Sequence, residues 1–191
     1  VMPLRKKLES ANKAEKDKIQ SSINNIDKQV KDYRDEFTTK NKKLFFSNIV
    51  NATTEIEIPK SPVDSLGNVD QTFPYRYYKK HFWDNINFSD ERMLRTPVFF
   101  SKMEQYFEKL TPKHPDSIIV SADVLVELSK ENQEIFKYVV SHITSTYERS
   151  KIMGMDAVFV HMVENYYMKD KCDWVDEKQL KKIVERAEKI A

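Results

Sequence analysis

The densest chemistry in this chain lies between Tyr75 and Arg95, YRYYKKHFWDNINFSDERMLR. Tyr77, His81 and Trp83 alternate there with Arg76, Lys79, Lys80, Arg92 and Arg95. Such rings stack on bases or sugars, and such cations grip anions. Arg76, His81, Trp83, Asp84, Arg92 and Arg95 are therefore the candidate binding surface. A structural reading stands beside it, in which the rings face a core and the cations face water, with Asp84, Asp90 and Glu91 pairing some of them. Three acids blunt the patch. The whole chain is also nearly neutral, with 32 Lys and Arg against 30 Asp and Glu for a net charge of +2. Bulk nucleic-acid or membrane binding calls for a strongly basic face, so no nucleic-acid partner is expected.

Other catalytic chemistry finds little support. Two glycines in 191 residues leave no phosphate-cradling loop and no dinucleotide fingerprint. The four histidines, His81, His114, His142 and His161, form no zincin pair. His161 with Glu164 and His81 with Asp84 lie one turn apart, and each could be half a metal site. A salt-linked histidine or a helix end explains them as well, so no metal and no cofactor is expected. The serines sit at caps and turns without a nucleophile-elbow pattern. Cys172 is the single cysteine and belongs to no paired-thiol motif. No catalytic residue is assigned, and the chain is not expected to be an enzyme.

These residues have to be positioned by helices. The stretch from Glu134 to Met168 reads as a helical hairpin: Phe136, Val140, Ile143 and Tyr147, with Val139, share one stripe, and Phe159, Met162, Val163 and Tyr166 share another. Gly154 suits a left-handed residue ending the first helix, and Asp156 can cap the second. Upstream, Pro74 opens a helix with Tyr75, Tyr78 and Phe82 on one face and Arg76, Lys79 and Lys80 largely on the other. Phe88-Ser89-Asp90-Glu91-Arg92-Met93 predicts a short helix capped by Ser89. Thr96-Pro97 starts the next, with Phe99, Met103, Tyr106 and Leu110 in register, and His114-Pro115-Asp116 starts another carrying Ile118, Ala122, Leu125 and Ser129 with Ile119 and Val126. Asp176 and Gln179 make a capping box for a final helix through Ile183, Val184 and Ala187. That helix keeps its rhythm to the last residue, as expected of a segment of a longer chain.

The N-terminal segment from Pro3 to about Phe46 is polar, with apolar residues at Leu4, Leu8, Ala11, Ile19, Ile23, Ile26, Val30, Tyr33 and Phe37. From Ile19 their spacing alternates four and three, a heptad seam suited to a coiled coil or to a helix lying along the domain. A homodimer through this helix is one expectation. Residues 51–73, with Pro59, Pro62 and Gly67, predict an irregular strap containing a short extended piece at Glu55 to Ile58. The expected architecture is all-α: eight or nine helices in antiparallel hairpins forming a bundle or a short curved stack, with a long N-terminal heptad helix. Its parts are an arm over 1–50, the strap over 51–73 and a helical core over 74–191.

The runs YRYYKKHFWDNINFSDERMLRTP, LTPKHPDSI and YERSKIMGMDAVFVHMVENYY resemble the uncharacterised helical domain that precedes a thioredoxin-like domain in cell-envelope redox proteins of certain Gram-negative bacteria. The resemblance covers roughly Lys18 to Ile190. It implies a periplasmic or cell-envelope parent chain, often with a small β-rich domain ahead and a thioredoxin-like domain behind that carries the redox cysteines. It also implies that the partners are that thioredoxin-like domain and its client proteins. The expected role is a non-catalytic accessory module that positions the redox domain or recognises clients. The alternative is an independent ligand-binding or enzymatic domain built on the 75–95 surface. A deep polar pocket among the six candidate residues favours the alternative, and a buried Trp83 with paired surface charges favours the module.

Overall fold

The computed structural model describes residues 13–169 and 171–190, and the Leu4, Leu8 and Ala11 positions of the arm lie outside them. Eight α-helices appear among the described residues: α1 Lys13–Lys40, α2 Phe45–Ala52, α3 Phe73–His81, α4 Pro97–Lys109, α5 Pro115–Ser129, α6 Gln133–Glu148, α7 Asp156–Met162 and α8 Glu177–Ile190. A 3₁₀ turn, Glu91–Arg95, precedes α4, and a π turn, Val163–Tyr167, extends α7. The architecture is all-α. No strand forms among the described residues. The expected extended piece at 55–58 belongs to no strand, and among the described residues the isolated β-bridge joins Val63 to Val69. Asp64 closes that turn by accepting from the Leu66 and Asn68 amides at 2.9 and 2.8 Å, with Gly67 in the left-handed region at φ +84°.

The chain divides into two compact units, Val1–Thr54 and Glu55–Ala191. In the first, α1 turns into α2 through Asn41, whose side chain bonds the Phe37 carbonyl at 2.9 Å and whose own carbonyl accepts from Ser47 Oγ at 2.7 Å. Phe37 meets Phe46 edge to face across this corner. Along the heptad seam Ile23 is buried, whereas Val30 and Tyr33 are exposed.

In the second unit α6 packs on α5 and α7, α5 also meets α7, and α8 rests on α7 and the π turn. Phe99, Met103, Ile118, Ala122, Leu125, Val126, Ile135, Val139, Val140, Ile143, Val158, Phe159, Met162 and Val163 form one continuous core. Burying a Leu, Ile, Val, Phe or Met side chain contributes about 1.5–3 kcal/mol, so this layer holds the helices at fixed spacing. Asn132 caps α6 by accepting from the Glu134 and Ile135 amides, and Asp176 accepts from the Gln179 amide at 2.8 Å, as the capping box requires.

Three local expectations are corrected. Asp90, not Ser89, caps the Glu91–Arg95 turn, because the Asp90 carboxylate reaches the Arg92 amide while Ser89 Oγ donates to Glu131 at 2.9 Å. Gly154 has φ +81°, but α6 ends earlier, at Glu148, so the glycine turns the chain into α7 instead of closing α6. Met155 occupies the cap position of α7, and Asp156 stands in its first turn.

Candidate binding site

The sequence of α3 decides how the 75–95 stretch is divided. Pro74 fixes its first turn, and the residues after it place Phe82 and Trp83 inward, fully or almost fully buried. Trp83 meets Phe82, Phe88, Phe99 and Tyr106, with centroid distances of 5.0, 5.9, 6.3 and 5.1 Å. This aromatic cluster fixes the end of α3 against α4. Tyr75 reaches across as well, its hydroxyl donating to the Leu110 carbonyl at 2.6 Å.

Arg76, His81 and Arg92 each engage a near neighbour. Arg76 pairs with Asp70, whose carboxyl is held low first by the Thr72 hydroxyl and amide and then by the guanidinium. His81 Nδ1 lies 2.6 Å from Asp84, and its ring sits 4.2 Å from that of Tyr77. Arg92 grips Asp90 through both Nε and Nη2, at 2.8 and 2.7 Å, a two-pronged bond that raises the guanidinium pKa further. Arg95 is exposed at the end of the 3₁₀ turn. Of the six candidate residues, Arg76, Trp83 and Asp84 line a common groove, and His81, Arg92 and Arg95 do not.

That groove runs between α3 and α5 and has a volume of about 640 Å³. Its floor is Trp83, Ile86, Phe88, Tyr106 and Ser121. One wall is α5, where Val120, Val124 and Leu128 fall at successive spacings of four and point outward, 64%, 44% and 38% exposed. The other wall carries Arg76, Lys79 and Lys80. Lys79 differs from its expected solvent-facing place: its ammonium lies 5.7 Å from the Tyr106 ring centroid, and burial lowers its pKa. Neither Lys79 nor Lys80 forms an ion pair among the described residues.

The floor is polar only at one end. Burial raises the Tyr106 phenol, while Ser121 and the Trp83 indole act in the opposite direction. Ser121 Oγ shares a 3.0 Å hydrogen bond with Thr111 Oγ1, which donates to the Tyr106 carbonyl at 2.9 Å. Trp83 Nε1 lies near the Tyr106 hydroxyl without reaching hydrogen-bonding geometry, alone among the buried side-chain polar atoms described.

A second polar cluster was not legible in the sequence. Asp123 on α5 accepts at the same oxygen from Tyr166, at 2.9 Å, and lies 2.8 Å from His161 Nε2. His161 thus pairs across the fold with Asp123 and not with Glu164. Asn165 bonds back to the His161 carbonyl at 3.0 Å, beside the π turn, where the Met168 amide reaches the Val163 carbonyl five residues earlier. The cluster pins α5 to α7. Cys172 is buried, and burial, with Asp173 adding to it, pushes its thiol up to about 12. A thiol so shifted stays protonated and is a poor nucleophile.

The family model described as a domain of unknown function, DUF5106, matches residues 11–190. No curated protein and no solved structure matches the chain.

Proposed function

We propose that this chain, which belongs to the DUF5106 family of domains of unknown function, is a non-catalytic accessory module of a thioredoxin-like thiol-disulfide oxidoreductase in the periplasm or cell envelope. It positions the redox domain or recognises that domain's client proteins. The association with a thioredoxin-like domain rests on the sequence resemblance. The observation that carries the non-catalytic part is the inward Trp83, with Arg76, His81 and Arg92 each engaged by a neighbouring carboxylate. Those contacts employ the stretch richest in reactive groups as structure. The buried thiol of Cys172 fits the same view, since thiol exchange needs an accessible thiolate.

The test uses the parent chain with its downstream domain, assayed for reduction of a folded disulfide-bonded protein and of a small disulfide, with and without this module. Slower reduction of the protein client alone is expected on deletion. Equal rates for both substrates overturn the reading. Homodimerisation through α1 is part of the same proposal, and the exposed Val30 and Tyr33 are the seam it would use. Val30→Asp should then halve the mass seen in light scattering, and an unchanged mass removes the dimer.

A further inference from the structure

We propose that the groove between α3 and α5 binds an amphipathic anion, a small carboxylate whose acid group faces Lys79 and Lys80 and whose apolar body lies along Val120, Val124 and Leu128. This goes beyond the accessory role and does not depend on it.

Size comes first. A space of about 640 Å³ lies within the range of small-molecule sites, roughly 300–1,000 Å³. The chemistry of the walls then restricts the occupant. Val120, Val124 and Leu128 lie one above another over eight residues of α5, a strip about 12 Å long at 1.5 Å per residue. The opposite face of the same helix already supplies the core through Ile118, Ala122 and Leu125. The outward strip is therefore only partly covered by this unit, and water against its exposed part is costly.

Charge sets the polarity. Arg76 is taken by Asp70, Asp84 by His81, and Glu131 accepts from Ser89. Lys79 and Lys80 are the lining cations without a carboxylate among the described residues. Lys79 stands over Tyr106, the same ring that borders Ser121, so the cationic end of the groove coincides with the polar end of its floor. Trp83 Nε1, near the Tyr106 hydroxyl but short of hydrogen-bonding geometry, belongs to that floor too. Glu131 lines the groove just past the C-terminal end of α5, where it accepts from Ser89 beside Phe88 in the chain. An anion therefore enters head toward Lys79, with its chain running toward Leu128. A carboxylate there completes a half-buried ammonium that now has only an aromatic face for company.

The test is titration of the chain with decanoate, below its micelle concentration, followed by calorimetry and by tryptophan fluorescence in a Trp174→Phe background, which leaves Trp83 as the reporter. Saturable one-to-one binding with a change in Trp83 emission is expected. Lys79→Gln with Lys80→Gln should weaken decanoate about tenfold while leaving decanol unchanged, and Val124→Glu, on an exposed site, should weaken both by about tenfold or more. Circular dichroism confirms that each variant keeps its helices. Absence of saturable binding, decanol binding as tightly as decanoate, or Val124→Glu binding like the parent overturns the inference. None of these results bears on the redox assay, so the two readings fail separately.

Discussion

Gly154→Ala isolates a backbone effect whose size follows from two observations. At φ +81° the residue occupies a conformation that costs an L-amino acid about 1–2 kcal/mol. The nearest atom to an added Cβ is Pro115 Cγ at 3.6 Å, an ordinary contact, so no steric term adds to that cost. Alanine also narrows the unfolded ensemble, which offsets about 0.4–1 kcal/mol. The net expectation is a loss of about 1 kcal/mol, or about 2–4 °C in Tm for a domain of this size. Urea unfolding followed by circular dichroism measures it, with the slope unchanged. Gly154→Asn should recover part of the loss, because asparagine tolerates the left-handed region. Gly67→Ala is the control: its φ is +84° with nothing within 4 Å of the added carbon, but it lies in an exposed turn that can open locally. Its effect on global unfolding should be under half as large. A neutral Gly154→Ala, or an asparagine that costs more than alanine, refutes the reasoning.

Cys172, with its thiol pushed up to about 12, should react with a thiol reagent at pH 8 only as the protein unfolds, so that labelling accelerates by orders of magnitude in urea; fast labelling of the folded chain contradicts the burial. Burial lowers the pKa of His142 below 6.5, with Arg149 adding to the effect and Glu104 opposing it. The unfolded chain therefore binds the proton first, so this contribution is intact above pH 6.5 and is lost as the pH falls from there through the folded pKa. His142→Gln should flatten that part of the stability profile, and an unchanged slope between pH 5 and 7 argues against it. Tyr166→Phe should cost about 1–2 kcal/mol, at the lower end for a bond to a carboxylate because Asp123 is partly exposed. A double-mutant cycle with Asp123→Asn should show coupling of at least about 0.5 kcal/mol, and additivity would mean that the bond contributes nothing.

The helices were legible because their apolar residues recur at three and four. The stripe through Phe99, Met103 and Tyr106 and the line through Ile118, Ala122 and Leu125 are the buried faces of α4 and α5. Asp176 was legible because a cap followed three residues later by Gln179 leaves few alternatives. Ser89 and Asp90 were harder: adjacent residues can each cap, and the choice was made by Glu131, forty-two residues away. The π turn left no trace in the pattern, since Val163 and Tyr166 remain buried with either helical geometry. Within the candidate surface, Trp83 and the locally paired charges follow from the alternation of rings, cations and acids. The groove does not follow from that stretch alone, because its far wall comes from α5. Its signal was present nonetheless: Val120, Val124 and Leu128 make α5 apolar on a second face, more than one core can use.

The widened turn at Val163–Tyr167 is also a phase adjuster. Each residue of an α-helix advances the side chains by about 100°, and the wider turn takes in one extra residue without adding that rotation to the chain beyond. Removing the exposed Glu164 would restore uniform winding and leave Tyr166 at nearly the same azimuth, still within reach of Asp123. The segment therefore absorbs the loss of one residue better than an ordinary α-helical turn does. A relative one residue shorter here can keep the same anchor between Tyr166 and Asp123.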